Sequence, residues 1–415
     1  MKNKIFSWWG CFLILLWFIP FLHSAESSDV LVVRGGKILT ISHGTIENAE
    51  ILIEDGKIKK VGPRIQIPEN SELIQAPKGW ILPGLVVPHT ILGTGNRYGS
   101  SDANETSNPN TAQLQIIDAV NPFDKDIHHV LTGGVTTAMV TPGRKNVIGG
   151  QSAVLKLKGS TVDQMCLRCP GGVKFSLGKG PKSTYGKKGR LPSTRMGSAY
   201  VIRKAFHEAE AYLKKIQKKS KGQLSPPRNL KLETLAKVRN KELTAFIECY
   251  RVDDIMTALR IIDEFDLKAV LVGCTEGYKV VHEIAERKVP VIVGPLGVGP
   301  RRMETRNVRV NNAAALAGAG VKIAIKPDES LGVGRIRELP LIASFLVKGG
   351  LDRSQAFRAI TLSAAEIMSV DDRVGSIEPG KDADLVIFDG DPLYYKSHVQ
   401  RVMINGETVY LKNEQ

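Results

Sequence analysis

Between residues 134 and 368 the chain alternates two kinds of segment, and this alternation constrains the fold more than any other feature. Gly134 to Val140, Leu243 to Ile247, Lys268 to Val272, Val289 to Val293 and Val321 to Ile325 are short apolar, β-rich runs. Asp253 to Phe265, Tyr278 to Arg287, Arg335 to Lys348 and Ser354 to Met368 carry the apolar spacing of helices. Short runs that are apolar throughout suit strands buried on both faces. Their alternation with helices places such strands in a parallel sheet covered by helices. Periodicity leaves a closed barrel and a doubly wound sheet both open.

The two ends of the chain follow another pattern. Val30 to Thr40 reads as a strand with a glycine turn at Gly35-Gly36. Ala49 to Gly62 places Asp55-Gly56 between two alternating runs, a strong hairpin signal. Near the other end, Gly375 to Leu393 is a turn-and-strand set. Val399 to Asn405 and Glu407 to Leu411 form a last hairpin around Gly406. A β-only unit is therefore expected from both ends, beside the alternating region.

The 415 residues suffice for a full barrel and a smaller domain, and 24% charged residues suit a folded globular chain. The net charge is +15, with 14 Lys/Arg between Lys174 and Lys221 facing only Glu208 and Glu210. A solvated basic face accounts for this, and no nucleic-acid-binding motif accompanies it. Lys2 and Lys4 precede the uncharged apolar run Ile5 to Leu22, and Ser24-Ala25 offers small residues for cleavage. This reads as an export signal over residues 1–25, with a periplasmic or extracellular destination. The run is near the ~20 residues that span a bilayer, so a retained anchor through residues 5–22 is the alternative. In an oxidising compartment Cys166-Leu167-Arg168-Cys169 is a lone CxxC open to a local disulfide. It lacks the second pair of a structural zinc site and is read as structural.

One further stretch carries the chemistry: Trp80-Ile81-Leu82-Pro83-Gly84-Leu85-Val86-Val87-Pro88-His89-Thr90-Ile91-Leu92-Gly93. Together with the Asp55-Gly56-Lys57-Ile58 hairpin and Glu378-Pro379-Gly380-Lys381-Asp382-Ala383-Asp384-Leu385, it resembles the metal-dependent amidohydrolase superfamily, nearest its imidazolonepropionase-like branch. The resemblance covers nearly all of the chain after residue 25. It implies an α/β fold: a distorted TIM-type (β/α)₈ barrel over residues 82–370, with a small β-sandwich from residues 26–81 and 371–415. In such barrels the active site lies at the carboxyl ends of the strands.

Members of that superfamily hold one or two metals. The ligands are a His-x-His on the first strand, a carboxylate or modified lysine midway, histidines ending the fifth and sixth strands, and an aspartate ending the eighth. The metal lowers the pKa of a bound water and the aspartate helps take its proton. By resemblance His89 stands at the first ligand, while Ile91 replaces the second histidine. Residues two apart on a strand share a face, so this exchange removes half of the grip. Lys179, in Gly171 to Lys182, replaces a midway glutamate, where its ammonium either occupies the cation's space or points to solvent. Glu248 and Tyr250 replace the histidines of the fifth-strand motif. Gly273, in Lys268 to Gly277, replaces the sixth-strand histidine. Cys274 beside it and Cys249 are open to a disulfide or to two buried thiols. Asp328, in Ile323 to Ser330, matches the catalytic aspartate.

The surviving set is then His89, Glu248 and Asp328, enough for at most one divalent ion, zinc or similar, or for none. Two functions follow. One is an exported hydrolase that cleaves a carbon–nitrogen bond through a metal-activated water. The other is an inactive relative whose barrel binds a small molecule or a partner. Ile91, Lys179 and Gly273 are read as lost ligand positions.

Overall fold

A computed structural model describes residues 30–95, 102–217, 227–296, 303–328 and 332–412. The proposed export segment lies outside them. Two sheets organise the chain. The first has seven strands: β1 (Val30–Leu39), β2 (Thr45–Glu54), β3 (Lys57–Gly62), β4 (Glu72–Pro83), β13 (Leu385–Phe388), β14 (Val399–Ile404) and β15 (Glu407–Leu411). Their order is β15-β14-β13-β4-β1-β2-β3, so both ends of the chain meet where β13 pairs with β4. The expected sandwich is thus one sheet that curls on itself. Its far edge returns through Ile58, which exchanges backbone hydrogen bonds with Gly380 and Lys381. Leu82 and Pro83 still pair with Val386 and Leu385, so this sheet runs two residues beyond the expected boundary at 81. Ile38, Ile51, Ile53, Ile58, Ile81 and Ile387 fill its interior. Asp55 and Gly56 both have positive φ, 51° and 72°, as a two-residue type I′ hairpin requires.

The second sheet is the barrel: β5 (Leu85–Thr90), β6 (Val135–Val140), β7 (Ile148–Lys156), β8 (Cys166–Ser176), β9 (Ala245–Cys249), β10 (Ala269–Gly273), β11 (Val291–Leu296) and β12 (Ile323–Pro327). The strands follow one another in sequence order, and β12 comes back beside β5. All neighbours are parallel except β7, which runs antiparallel to both β6 and β8. Val86, Met139, Val154, Phe246, Val270, Val272, Ile292 and Ala324 point inward and pack on the helix Leu362–Met368, which closes the amino-terminal end. Each such side chain contributes about 1.5–3 kcal/mol on burial.

The two sheets are clasped by ionic contacts. Lys156, at the end of β7, places its buried ammonium 2.7 Å from Asp382 Oδ2 and 2.9 Å from Asp384 Oδ1, and also donates to Asn405 Oδ1. Lys57 and Arg373 hold Asp382 from the other side. The Lys381-Asp382-Ala383-Asp384 run thereby ties the curled sheet to the barrel.

Candidate functional site

At the carboxyl end of the barrel the inward side chains change from apolar to charged. Inward facing follows strand alternation: Glu248 lies two residues beyond Phe246, and Lys326 two beyond Ala324. His89 reaches the interior by another route. Between Val87 and Thr90, β5 carries one residue more than the stretch of β6 it faces, and this bulge turns the imidazole inward.

Lys174 is central. Its side chain is fully buried, and its Nζ donates to Glu248 Oε2 while lying 2.5 Å from His89 Nε2. His89 Nδ1 lies 3.2 Å from Lys326 Nζ. A neutral imidazole accepts at one nitrogen only, so one of the two lysines donates to the ring. The nearer is Lys174. The other carboxylate oxygen, Glu248 Oε1, accepts from the Tyr250 hydroxyl at 2.5 Å. Arg144, from the loop after β6, stands beside Tyr250 and feels the charges of Glu248 and Asp328. Asp328 follows β12 and is largely buried.

This layer is rich in cations, which sets its protonation. Burial, with Lys174 and Lys326, holds His89 well below the ordinary value of 6.5, so it is neutral at pH 7. Burial alone would raise Glu248, but the charges of Lys174, Lys326 and Arg144 outweigh it and keep the carboxylate ionised, well below 4.5. Burial brings Lys174 down to about 8 against the opposing pull of Glu248, with Lys326 and Arg144 lowering it further. At pH 7 it is still mostly an ammonium. Burial pushes the Tyr250 phenol well above its usual value, so it stays a donor.

The acid side of the stability profile follows. The unfolded chain protonates His89 near 6.5 and Glu248 near 4.5, whereas the folded chain resists both. Stability from these groups is complete above those values and is lost as pH falls through them, at up to about 1.4 kcal/mol per pH unit for each proton. Asp254, pushed up to about 6 mainly by burial, works the other way between that value and 3.8. Urea unfolding from pH 8 to pH 4 should therefore show a fall that becomes steeper below 4.5. A Lys174→Met/Glu248→Met double variant should lose that steeper part. Parallel profiles for the two proteins would contradict the assignment.

The candidate residues take up the following places. His89 and Glu248 come together, Nε2 to Oε2 at 3.9 Å, but among the described residues no three His, Cys, Asp or Glu side chains converge as a metal-holding group. The set His89, Glu248 and Asp328 is therefore not assembled as a cage. Of the two placements open to Lys179, the structure shows the solvent-facing one. It is exposed on the first turn of the helix Lys179–Gly186, and Lys174, five residues earlier on β8, is the lysine that contacts His89 and Glu248. Gly273 is more than a lost ligand. Its φ is +101°, and a Cβ there would stand 2.8 Å from the Tyr250 ring, so the glycine makes room for Tyr250. Ile91 lies just past β5 and packs on the core between barrel and helices. Cys166 and Cys169 form a disulfide, while Cys249 and Cys274 are buried free thiols with sulfurs 3.9 Å apart.

Lys174 and Lys326 were not singled out in the sequence. The signal was present: each interrupts an apolar strand, and lysine is almost never fully buried unless it is paired.

Sequence and fold match one family. The amidohydrolase family model matches residues 250–409. An amidohydrolase from Thermotoga maritima MSB8 superposes with a TM-score of 0.87 at 35% identity, over 92% of this chain and all of that one. The chain belongs to the amidohydrolase family. It is also 25% identical to the amidohydrolase tasK of Hapsidospora irregularis over 391 residues, 86% of this chain but only 39% of that protein's length. With the imidazolonepropionase of Geobacillus sp. (strain WCH70) it shares 23% identity over 88% of this chain and 90% of that one. Family members hydrolyse carbon–nitrogen bonds and typically bind a metal such as zinc. The residues of this site do not fit such an ion. Lysine has no lone pair to give while protonated, and Lys174 lies against both His89 Nε2 and Glu248 Oε2, the atoms a metal would need.

Proposed function

We propose that this chain uses the amidohydrolase barrel to bind a small molecule at a site organised by a buried ammonium, and does not run hydrolysis through a metal-activated water. Of the two functions the sequence left open, this is the second. One observation carries it: Lys174 Nζ contacts His89 Nε2 and Glu248 Oε2 together. A fixed positive charge there neutralises Glu248 as a metal would, but it supplies no water of lowered pKa. The space that Gly273 yields to Tyr250 supports the same reading, because the ring stands where a sixth-strand histidine would extend.

The test is thermal unfolding of the purified chain in EDTA and in excess zinc. The melting temperature should agree within about 1 °C in the two conditions. A ligand bound at 100 times its Kd stabilises by about 2.7 kcal/mol, so a zinc-dependent rise of several degrees that saturates would overturn the reading.

We propose also that the chain is exported. The Lys2/Lys4 start and the Ile5 to Leu22 run support this, and the Cys166–Cys169 disulfide suits an oxidising compartment. The intact mass of the protein recovered from its own cells should correspond to a chain lacking about its first 25 residues. Full-length chain in the soluble cytosolic fraction would contradict export, and full-length chain in the membrane fraction would favour the anchor instead.

A further inference from the structure

Beyond Glu248 and Tyr250 a cleft of about 290 Å³ opens at the carboxyl ends of β8 and β9. Its wall includes Arg144, Lys179, Ser183, Glu248, Tyr250 and Glu304. The two acids on that wall are already engaged. Glu248 is held by Lys174 and Tyr250, and Glu304 takes Arg195 Nη2 on both oxygens, at 2.8 and 2.9 Å. The cations are less committed. Arg144 stands beside the Tyr250 phenol and feels the charges of Glu248 and Asp328, and its guanidinium has five N–H donors. Lys179 is exposed and has no acidic partner within ion-pair distance among the described residues.

The backbone shapes the cleft. The helix Lys179–Gly186 starts at Gly178 with no side-chain cap, and its first two residues line the cleft. The Asp254 and Glu304 carboxylates beside Gly178 are both held by Arg195, which leaves the Arg144 and Lys179 side of the cleft to an added anion. Gly180 also lets the Arg144 loop approach, since a Cβ there would lie 2.2 Å from the Arg144 carbonyl oxygen. Behind the wall, the charges of Lys174 and Lys326 hold Glu248 ionised.

We infer that this cleft binds a small molecule through an oxyanion group, a carboxylate or a phosphate, held between Arg144 and Lys179 at the start of the Lys179–Gly186 helix. The inference rests on the metal-free reading above, and it names the ligand class for that site. A carboxylate or phosphate accepts two parallel bonds from a guanidinium and a third from the ammonium. The cleft volume limits the ligand to the small end of the range for such sites.

The test is isothermal titration of the full chain with inorganic phosphate and, separately, with acetate, both in EDTA and at constant ionic strength set with chloride. At least one of the two should bind saturably, and the stronger arm identifies the oxyanion. Arg144→Gln and Lys179→Gln should each weaken that binding about tenfold, as loss of a charge-assisted hydrogen bond does. Lys187→Gln, an exposed lysine beyond that helix and outside the cleft, should leave it unchanged. Circular dichroism checks that each variant is folded. Absence of saturable binding by either anion, or equal affinity in all three variants, would overturn the inference while leaving the metal-free reading intact. Stoichiometric zinc in the same preparations would instead overturn the metal-free reading.

Discussion

Replacing Lys174 with methionine is expected to lower the stability of this protein by about 3–5 kcal/mol, because it strands a buried carboxylate. Methionine nearly matches the lysine stem in volume, so little of the loss comes from a cavity. What disappears is the ammonium shared by Glu248 and His89. Glu248 keeps the Tyr250 hydroxyl and the charge of Lys326, which soften the penalty but do not replace an ion pair with both partners buried. The companion Lys174→Met/Glu248→Met variant removes both charges and should recover at least half of the loss, since an apolar pair in such a place is often neutral relative to the ion pair. Urea unfolding at pH 7 measures both. A Lys174→Met loss under about 1 kcal/mol would mean that the pair behaves as an exposed one, which its burial does not allow.

Lys156→Met is expected to cost about as much, again about 3–5 kcal/mol, through the clasp between the curled sheet and the barrel. Asp382 retains Arg373 and Lys57 and stays ionised. Asp384 loses its lysine and is left with the Asn405 backbone N–H on Oδ1, while its Oδ2 is buried without a hydrogen-bond partner. The loss should therefore concentrate on Asp384, and adding Asp384→Asn to Lys156→Met should return part of it. Limited proteolysis gives a second readout: the variant should be cut between the sheet and the barrel sooner than the wild type. Equal unfolding midpoints in urea would show that the clasp contributes nothing.

Much of the fold was legible because its signals are local. Asp55-Gly56 specifies a hairpin by backbone conformation alone, and the alternation after residue 134 demands a helix-covered parallel sheet. The Glu378 to Leu385 run marked the small domain before its purpose was visible, which is to present Asp382 and Asp384 to Lys156. The site was legible only where a residue keeps its type and its strand position, as His89 and Glu248 do. Lys174 was passed over because it sits inside an apolar strand, while Lys179, five residues on, occupies the position that the resemblance pointed to. The strand's alternation and the barrel's closure bring Lys174, not Lys179, to His89 and Glu248. Gly273 could not be understood from its own segment, since its positive φ and its contact with the Tyr250 ring depend on the neighbouring strand.

The central claim is that a lysine ammonium organises this barrel where relatives use a metal. Metal content tests it most directly. The chain, purified from cells grown with added zinc and manganese and without chelator, should carry far less than one divalent ion per molecule, and His89→Ala should not change that figure. About one ion per chain, lost in His89→Ala, would contradict the account.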